Sequence, residues 1–179
     1  MRDPDRLALD RTLDAGAGEA VQGAAGADVR WMRAALEAAI AAGERGEIPV
    51  GAAVVLGDRL LACSGNASIR LNDPTAHAEV VALRAAAAAV HNYRLPGAIL
   101  YATVEPCAMC MGAALHARVS RLVFGCEDPK GGAAGSVLDL ADHRRLNHRV
   151  TVVRGILEVE SALLLRQFFA ARRRMSRTG

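Results

Sequence analysis

The sequence predicts an α/β fold in which a mixed five-stranded sheet has helices on both faces. Two short apolar segments around a Gly-Asp turn come early in the chain and are typical of an antiparallel hairpin. Three further strand-like segments then alternate with helical segments, an order that favours helices covering both faces of the sheet. Apolar residues make up 52% of the 179-residue chain, enough to fill the core of one such domain.

The N-terminal part of the chain has a different composition from the rest. Residues 1–28 are rich in Ala, Gly and Asp and show no sustained period, so we expect a flexible extension followed by one domain over residues 29–179. That domain begins with a predicted helix, for which Asp28 is the expected N-cap and Gly43 lies near the end. Its apolar positions recur at helical spacing: Trp31, Met32, Leu36 and Ile40.

Five segments carry the pattern of strands. The stretch VGAAVVLGDRLLACSGN contains both strands of the hairpin. The other three strands are predicted in AILYATV, RLVFGC and RVTVVRGI. A Gly-rich loop, EDPKGGAAGSVLDL, separates the last two.

Three helical segments follow the hairpin. In DPTAHAEVVALRAAAAAVHNY, a breaker pair leads into a long Ala-rich helix. In PCAMCMGAALHA, we expect Pro106 at the head of the helix, where its missing N–H costs little. The stretch EVESALLLRQFFAARRRM closes the chain as a helix.

Charge and apolar patterning argue against a membrane protein. No apolar run approaches the roughly 18 residues of a membrane helix, and the N-terminus lacks a signal-peptide core, so we expect a cytoplasmic protein. The net charge is +3, and the basic residues are nearly all arginine, with a cluster in the C-terminal AARRRMSRTG. Such a cluster suits phosphate binding but is equally typical of a solvated helix end, so both interpretations stay open.

The segment VEPCAMC places Cys107 and Cys110 three positions apart. At the start of a helix this spacing puts both side chains on one face, where the partial positive charge of the helix N-terminus favours thiolates. Four cysteines in a chain of this kind are better interpreted as thiols or metal ligands than as disulfides. The pair fits a zinc site or a redox dithiol, and a third ligand must decide between them.

His77 is the candidate third ligand. Among the five histidines, it alone follows a breaker pair at the start of a predicted helix and has an acidic residue, Glu79, two positions on. One His and two Cys leave a tetrahedral site one ligand short, which is the pattern of catalytic rather than structural zinc. Zinc lowers the pKa of bound water to about 7, and Glu79 is placed to carry a proton to a leaving nitrogen.

The order H-x-E and then P-C-x-x-C resembles the signature of the zinc-dependent nucleobase deaminases. From about Trp31 to Arg174 the sequence is similar to the bacterial tRNA-specific adenosine deaminases, with shared blocks that include WMRAAL, PVGA, DPTAHAE, EPCAMC, GAAGS and NHRV. The resemblance implies a three-layer α/β/α cytidine-deaminase-like fold. It also implies conversion of adenosine to inosine at the wobble position of an arginine tRNA anticodon.

The resemblance further implies roles for individual residues. His77, Cys107 and Cys110 would bind one zinc ion per subunit, Glu79 would be the general acid and base, and Asn66 would hydrogen-bond the flipped base. The remaining implied contacts are Val50 and Val104 lining the pocket, Asp128 beside the target nucleotide, and Lys130, Phe169, Arg172 and Arg173 on the anticodon stem-loop. A homodimer is implied as well. Cys126 stands where alanine is common in the family, and we interpret it as a small buried thiol.

Three alternative functions remain open at this point. A free base or nucleoside, such as guanine or cytosine, suits the same zinc chemistry but does not need the Gly-rich loop or the arginine-tipped last helix. A zinc-stabilised RNA-binding module without catalysis needs neither Glu79 nor an open fourth position on the metal. A redox function for the C-x-x-C pair requires a free dithiol, which stoichiometric zinc would not leave.

Overall fold

The computed structural model describes residues 26–178 of the chain. The predicted extension, residues 1–28, lies outside this range except for its last residues. None of the helices within residues 26–178 has the length and apolar character of a membrane span. The elements are α1 (26–44), β1 (Gly51–Leu56), β2 (Arg59–Gly65), α2 (Ser68–Leu71), α3 (Ala78–Ala89), β3 (Ala98–Val104), α4 (Ala108–His116), β4 (Arg121–Cys126), β5 (Thr151–Val153) and α5 (Glu158–Thr178).

The strands form one mixed sheet of five strands in the order β2-β1-β3-β4-β5. Strand β1 pairs antiparallel with both β2 and β3, whereas β3 pairs parallel with β4 and β4 with β5. The hairpin turns at Gly57, whose φ of 60° is a conformation that glycine adopts without strain. This topology confirms the predicted mixed sheet.

Alternate residues along the strands pack against helices on opposite faces of the sheet. Val54, Leu100 and Phe124 belong to the larger buried cluster, which also holds residues of α3 and α4. Tyr101 and Val123 belong to a second buried cluster on the other face, together with residues of α1. Helix α5 packs on β4 and β3. The sheet therefore lies between helical layers, as predicted.

Helix α1 lies unusually close to the sheet because two glycines face it. Gly51 and Gly65 are directly paired across β1 and β2. A Cβ atom on Gly51 would overlap the carbonyl oxygen of Ala35, and one on Gly65 would meet that of Ala38. Since these neighbours are backbone atoms that cannot rotate away, the two glycines set the distance between α1 and the sheet.

The prediction that Asp28 caps the first helix is wrong. Asp28 lies inside α1 and is buried, because its carboxylate has partners in the sheet. The hydroxyl of Tyr101 donates to Oδ1 at 2.9 Å, and Arg121 donates to both carboxylate oxygens at 2.8 and 2.6 Å. This bidentate contact from Arg121 holds α1 against β4.

Two further details near the helix starts differ from expectation. Pro106 is not the first residue of its helix: Cys107 is the N-cap and α4 begins at Ala108. The short helix α2 was not predicted at all. The buried Glu47 carboxylate accepts hydrogen bonds from the backbone N–H groups of Ile69 (3.2 Å) and Arg70 (2.8 Å), which satisfies donors at the start of α2.

Candidate metal centre

The predicted metal ligands lie together at the N-terminal ends of two helices. His77 is the N-cap of α3, Cys107 is the N-cap of α4, and Cys110 lies in the first turn of α4. Both N-cap residues have extended backbone angles, and neither side chain caps its own helix. The two side chains are therefore free to point toward a shared centre.

The distances between the three ligand atoms fit a zinc ion. The Sγ atoms of Cys107 and Cys110 are 3.7 Å apart, and His77 Nδ1 lies 3.7 Å from the first and 3.6 Å from the second. Tetrahedral zinc with Zn–S near 2.3 Å and Zn–N near 2.0 Å requires about 3.8 Å between sulfurs and about 3.6 Å between nitrogen and sulfur. The trio can hold a metal ion without rearrangement.

One cysteine of the trio favours the thiolate form. Hydrogen bonds from Cys110 and then from His77 lower the pKa of Cys107 to about 3. The same interaction with Cys107, reinforced by burial, raises the pKa of Cys110, so one thiolate forms first and the second thiol keeps its proton. The contact with Cys107 also raises the pKa of His77. A cation bound here replaces the protons that hold this cluster together.

Glu79 lies beside the trio and is almost fully buried, with an exposed fraction of 3%. Its Oε2 atom has no hydrogen-bond partner within the described part of the chain, and burial raises the pKa of its carboxyl group. A buried polar atom without a partner is rare unless it has a function. A carboxyl group with a raised pKa is suited to hold a proton and pass it on.

Asn66 joins the metal-binding elements to the end of β2. Its Oδ1 atom accepts a 2.8 Å hydrogen bond from the N–H of Ala78, the residue between His77 and Glu79. Its own N–H donates to the carbonyl oxygen of Val50 at 3.0 Å. Since Oδ1 accepts from the backbone, the side-chain NH₂ group is the part of Asn66 that can donate to a ligand.

The Gly-rich loop lies beside the start of α4. Its residue Asp128 is half-buried and accepts a 3.0 Å hydrogen bond from the N–H of Lys130, whose side chain is exposed. Val104 is half-buried at the end of β3, where it pairs with Cys126 of β4. Val104 thus lies on the strand that leads to Cys107, and Asp128 and Lys130 lie in the loop that follows β4.

Glu105 was not identified from the sequence. It follows β3 directly and is buried, yet its carboxylate accepts hydrogen bonds from the Gly-rich loop, including those of Asp128 and Ala134. Burial opposes its ionisation, but the hydrogen bonds from Ser136, Asp128 and Ala134 together outweigh burial and lower its pKa. The signal in the sequence that could have identified Glu105 is its place between the predicted buried strand and the Pro-Cys pair.

The sequence region that carries the trio matches a known family. The description of that family is the cytidine and deoxycytidylate deaminase zinc-binding region, and the match covers residues 26–126. The chain belongs to this family. It is therefore a zinc-dependent hydrolytic deaminase, and its cofactor is zinc.

Individual relatives narrow the position of the chain within the family. The tRNA-specific adenosine deaminase of Agrobacterium fabrum is 48% identical over 143 residues, which cover 80% of this chain and 94% of the relative. One solved structure is a tRNA:A34 deaminase, described as carrying out A-to-I editing at the wobble position of transfer RNA. It is 47% identical with a TM-score of 0.74, and the match covers 76% of this chain and 99% of that one. A guanine deaminase from Nitrosomonas europaea is 26% identical with a TM-score of 0.66, over 79% of this chain and 84% of that one. Within the family, the chain groups with the tRNA-specific adenosine deaminases.

The three predicted RNA contacts near the C-terminus lie on another element of the deaminase. Phe169, Arg172 and Arg173 are part of α5, and Phe169 is 41% exposed. The ring of Phe168 lies edge-on to that of Phe169, and Arg172 stacks over Phe168 at 5.4 Å. The roles of these residues in RNA binding therefore stay predictions that the resemblance supports.

Cys126 is buried at the end of β4 and takes no part in the trio. Its Sγ atom contacts the carbonyl oxygen of Thr103 at 3.7 Å, and burial raises the pKa of its thiol. A protonated, buried thiol packs as a small apolar side chain. This environment agrees with the interpretation of Cys126 as a packing residue.

Proposed function

We propose that this deaminase converts adenosine to inosine at the wobble position of a tRNA anticodon, with arginine tRNA as substrate. The observation that carries the chemistry is the trio of His77, Cys107 and Cys110 beside Glu79, whose buried Oε2 atom has no hydrogen-bond partner among the described residues. The choice of RNA is supported by relatives named for tRNA adenosine deamination that share nearly half of the sequence.

The residues around the trio have separable tasks. Zinc held by His77, Cys107 and Cys110 supplies Lewis-acid activation of a water molecule. Glu79 accepts one proton from that water and donates it to the purine ring nitrogen. It then accepts the proton of the hydroxyl group now on C6 and donates it to the amino group, which leaves as ammonia while C6 becomes a carbonyl. Burial suits Glu79 to both steps because its raised pKa lets it hold the proton between transfers.

The base-binding pocket is assigned to residues that surround the start of α3. The NH₂ group of Asn66 donates to an acceptor nitrogen of the purine, since its Oδ1 is engaged by Ala78. Val50 and Val104, both half-buried, form apolar walls for the ring. A flipped base needs such a pocket, because a stacked base cannot reach the metal.

We assign the contacts with the RNA around the target base to residues of the Gly-rich loop and α5. Asp128 contacts the nucleotide beside the target. The residues that hold the anticodon stem-loop are Lys130, Phe169, Arg172 and Arg173. Arginine and lysine contacts to phosphates position an RNA loop without reading its sequence. An unpaired anticodon base is inexpensive to extrude, which suits a wobble adenosine.

Two stem-loop RNAs test whether the deaminase acts on adenosine at the wobble position. The first carries the arginine anticodon ACG with adenosine at the wobble position, and the second has the adenosine moved one nucleotide along the same loop. We expect inosine in the first RNA and a rate at least about 100-fold lower in the second. Equal rates on both RNAs would remove the wobble assignment.

Deamination of a free purine is the second candidate. The structural similarity to a guanine deaminase favours it, because the two enzymes share most of the fold. Its signature is ammonia released from guanine by the zinc-loaded protein with no inosine formed in the stem-loop. The proposed function predicts the reverse result.

We also infer a cytoplasmic homodimer. The proposed substrate is a cytoplasmic RNA, and the resemblance to dimeric tRNA deaminases supports the assembly. Exposed large apolar side chains, including Val137 and Leu138 within the Gly-rich loop, offer a surface for a second subunit. Light scattering at micromolar concentration is expected to give twice the chain mass, and the mass of one chain would contradict the dimer.

A further inference from the structure

Four hydrogen-bond donors of the Gly-rich loop converge on the carboxylate of Glu105. The N–H groups of Ala134 and Ser136 donate to Oε1 at 2.9 and 3.0 Å. The N–H of Asp128 donates to Oε2 at 3.2 Å, and the hydroxyl of Ser136 donates to the same oxygen. With an exposed fraction of 3%, Glu105 is shielded from water, so these donors are the partners that offset its burial.

The same loop is interlocked with the segment that carries the zinc ligands. The N–H of Ala133 donates to the carbonyl oxygen of Pro106 at 2.9 Å, and Gly132 forms an isolated antiparallel bridge with Cys107. A Cβ atom on Gly132 would overlap the Glu105 carboxylate. A side chain at position 132 would therefore push the loop away from the metal-binding segment.

The two ends of the loop have different tasks. Ala134 and Ser136 anchor its far end, whereas Asp128 at the near end is assigned to the nucleotide beside the target. The backbone of Asp128 is fixed by Glu105, and its side chain is engaged by the N–H of Lys130. Through these contacts Glu105 sets the positions of Asp128 and Lys130 relative to Cys107, which follows Glu105 by two residues.

We propose that Glu105 is a positioning residue, which holds the Gly-rich loop in register with the zinc-binding segment. Asp128 then meets the nucleotide flanking the target adenosine, and Lys130 meets the anticodon stem-loop. This inference rests on the proposed function. Glu105 is buried beneath the loop and acts through it, without contact to the substrate. Its effect belongs to RNA binding rather than to the proton transfers of Glu79.

Glu105→Gln separates this role from a general structural one. Glutamine keeps one carbonyl oxygen for the N–H groups of Ala134 and Ser136, but its NH₂ group replaces Oε2 and faces the N–H of Asp128, donor against donor. We expect KM for the anticodon stem-loop to rise about tenfold with kcat within about twofold of the wild type and zinc still bound. In the inactive Glu79→Ala background, we expect Kd for the same RNA to rise by a similar factor.

A milder pair of variants keeps the test valid if Glu105→Gln folds poorly. Ser136→Ala removes only the hydroxyl that donates to Glu105, and Ser136→Thr keeps a hydroxyl in the same place; Ser136 is exposed, so both variants are expected to fold. We expect KM to rise about threefold for Ser136→Ala and to return to the wild-type value for Ser136→Thr. An unchanged KM in both Glu105→Gln and Ser136→Ala overturns the proposal, as does loss of zinc or an equal fall in kcat.

Hydrogen exchange of the RNA-free protein makes the result independent of the substrate. Glu105→Gln is expected to speed amide exchange across residues 128–136 and to leave residues 66–78 unchanged. Unchanged exchange in the loop overturns the inference whatever the substrate is. If the wild type instead fails to deaminate the stem-loop while the loop exchange responds as expected, it is the proposed function that fails.

Discussion

The N–H of Ala78 donates a 2.8 Å hydrogen bond to Oδ1 of Asn66, and both residues are buried. Ala78 lies between His77 and Glu79 at the start of α3, so this bond fixes Asn66 relative to the proposed zinc ligand and the proposed proton carrier. A base held by the NH₂ group of Asn66 is therefore placed with respect to both. The Oδ1 atom of Asn66 thus has a structural role, and we propose that the NH₂ group of the same amide binds the base.

Asn66→Asp separates these two tasks. The carboxylate still accepts from Ala78 but has no NH₂ group to donate to the base, so we expect kcat/KM on the stem-loop to fall about 100-fold. Asn66→Ala loses both functions, and its free energy of unfolding is expected to fall by a further 1–3 kcal/mol, about the cost of leaving the Ala78 N–H unpaired. Urea unfolding and steady-state kinetics measure the two effects. Near-wild-type activity of Asn66→Asp would remove Asn66 from the pocket.

Much of this site could be predicted from local sequence. The hairpin, the strand AILYATV and the helix starts at His77 and Cys107 depend on short patterns of apolar and breaker residues. Cys107 and Cys110 are three positions apart, and the backbone geometry of one helix turn brings them together. His77 could be added because few other histidines occur in this chain and none has the same flanking residues.

The contacts of three buried acidic residues could not be predicted in this way. Asp28 bonds to Tyr101 and Arg121, which are 73 and 93 positions away in the sequence. Glu105 binds loop residues 23 to 31 positions later, and Glu47 binds Ile69 and Arg70. The local pattern around Asp28 fits an N-cap well, and only the tertiary fold shows that its carboxylate faces the sheet. Long-range pairing decides these contacts, and no local pattern carries that information.

The packing of α1 against the sheet predicts different outcomes for two glycine substitutions. Gly51→Ala places a methyl group against the backbone of Ala35, so we expect a loss of about 3 kcal/mol or more in unfolding free energy. Gly112 lies within α4 with open space around its Cβ position, and Gly112→Ala is expected to gain about 0.5–1 kcal/mol from helix propensity. Thermal unfolding of the two variants provides the comparison. Equal stabilities would show that α1 does not depend on close contact at Gly51.

The environment of Tyr101 predicts how the free energy of unfolding changes at alkaline pH. Burial and the hydrogen bond to Asp28 raise the pKa of Tyr101 above the usual value of about 10. The folded state favours the neutral hydroxyl, so the contribution of Tyr101 is fully present below pH about 10 and is lost as the pH rises toward the folded pKa. Tyr101→Phe is expected to flatten this decline in urea unfolding between pH 8 and 11, and to lower stability by about 1 kcal/mol at pH 7.

The second tyrosine is a matched control for this experiment. Tyr93 is 70% exposed, so Tyr93→Phe is expected to leave both the stability at pH 7 and the alkaline decline unchanged. An alkaline decline that persists in Tyr101→Phe would show that another group causes it.

The locations of the four cysteines predict which thiols zinc protects from chemical labelling. Cys63 is exposed, whereas Cys126 is buried and Cys107 and Cys110 belong to the metal trio. Iodoacetamide is expected to modify only Cys63 in the zinc-loaded protein, and Cys107 and Cys110 as well after chelation. Peptide mass spectrometry identifies the modified residues. A disulfide between Cys107 and Cys110 in the protein as purified would instead support the redox alternative.

The most direct test of the account is the formation of inosine in an arginine tRNA transcript with an ACG anticodon, followed by nucleoside mass spectrometry. The zinc-loaded wild type and the isosteric Glu79→Gln variant are compared at equal zinc content. We expect inosine with the wild type and a rate at least about 1,000-fold lower with Glu79→Gln, because a positioned proton carrier contributes about that factor. Inosine formed at similar rates by both proteins, or no inosine and ammonia released from guanine by the wild type, would contradict the account.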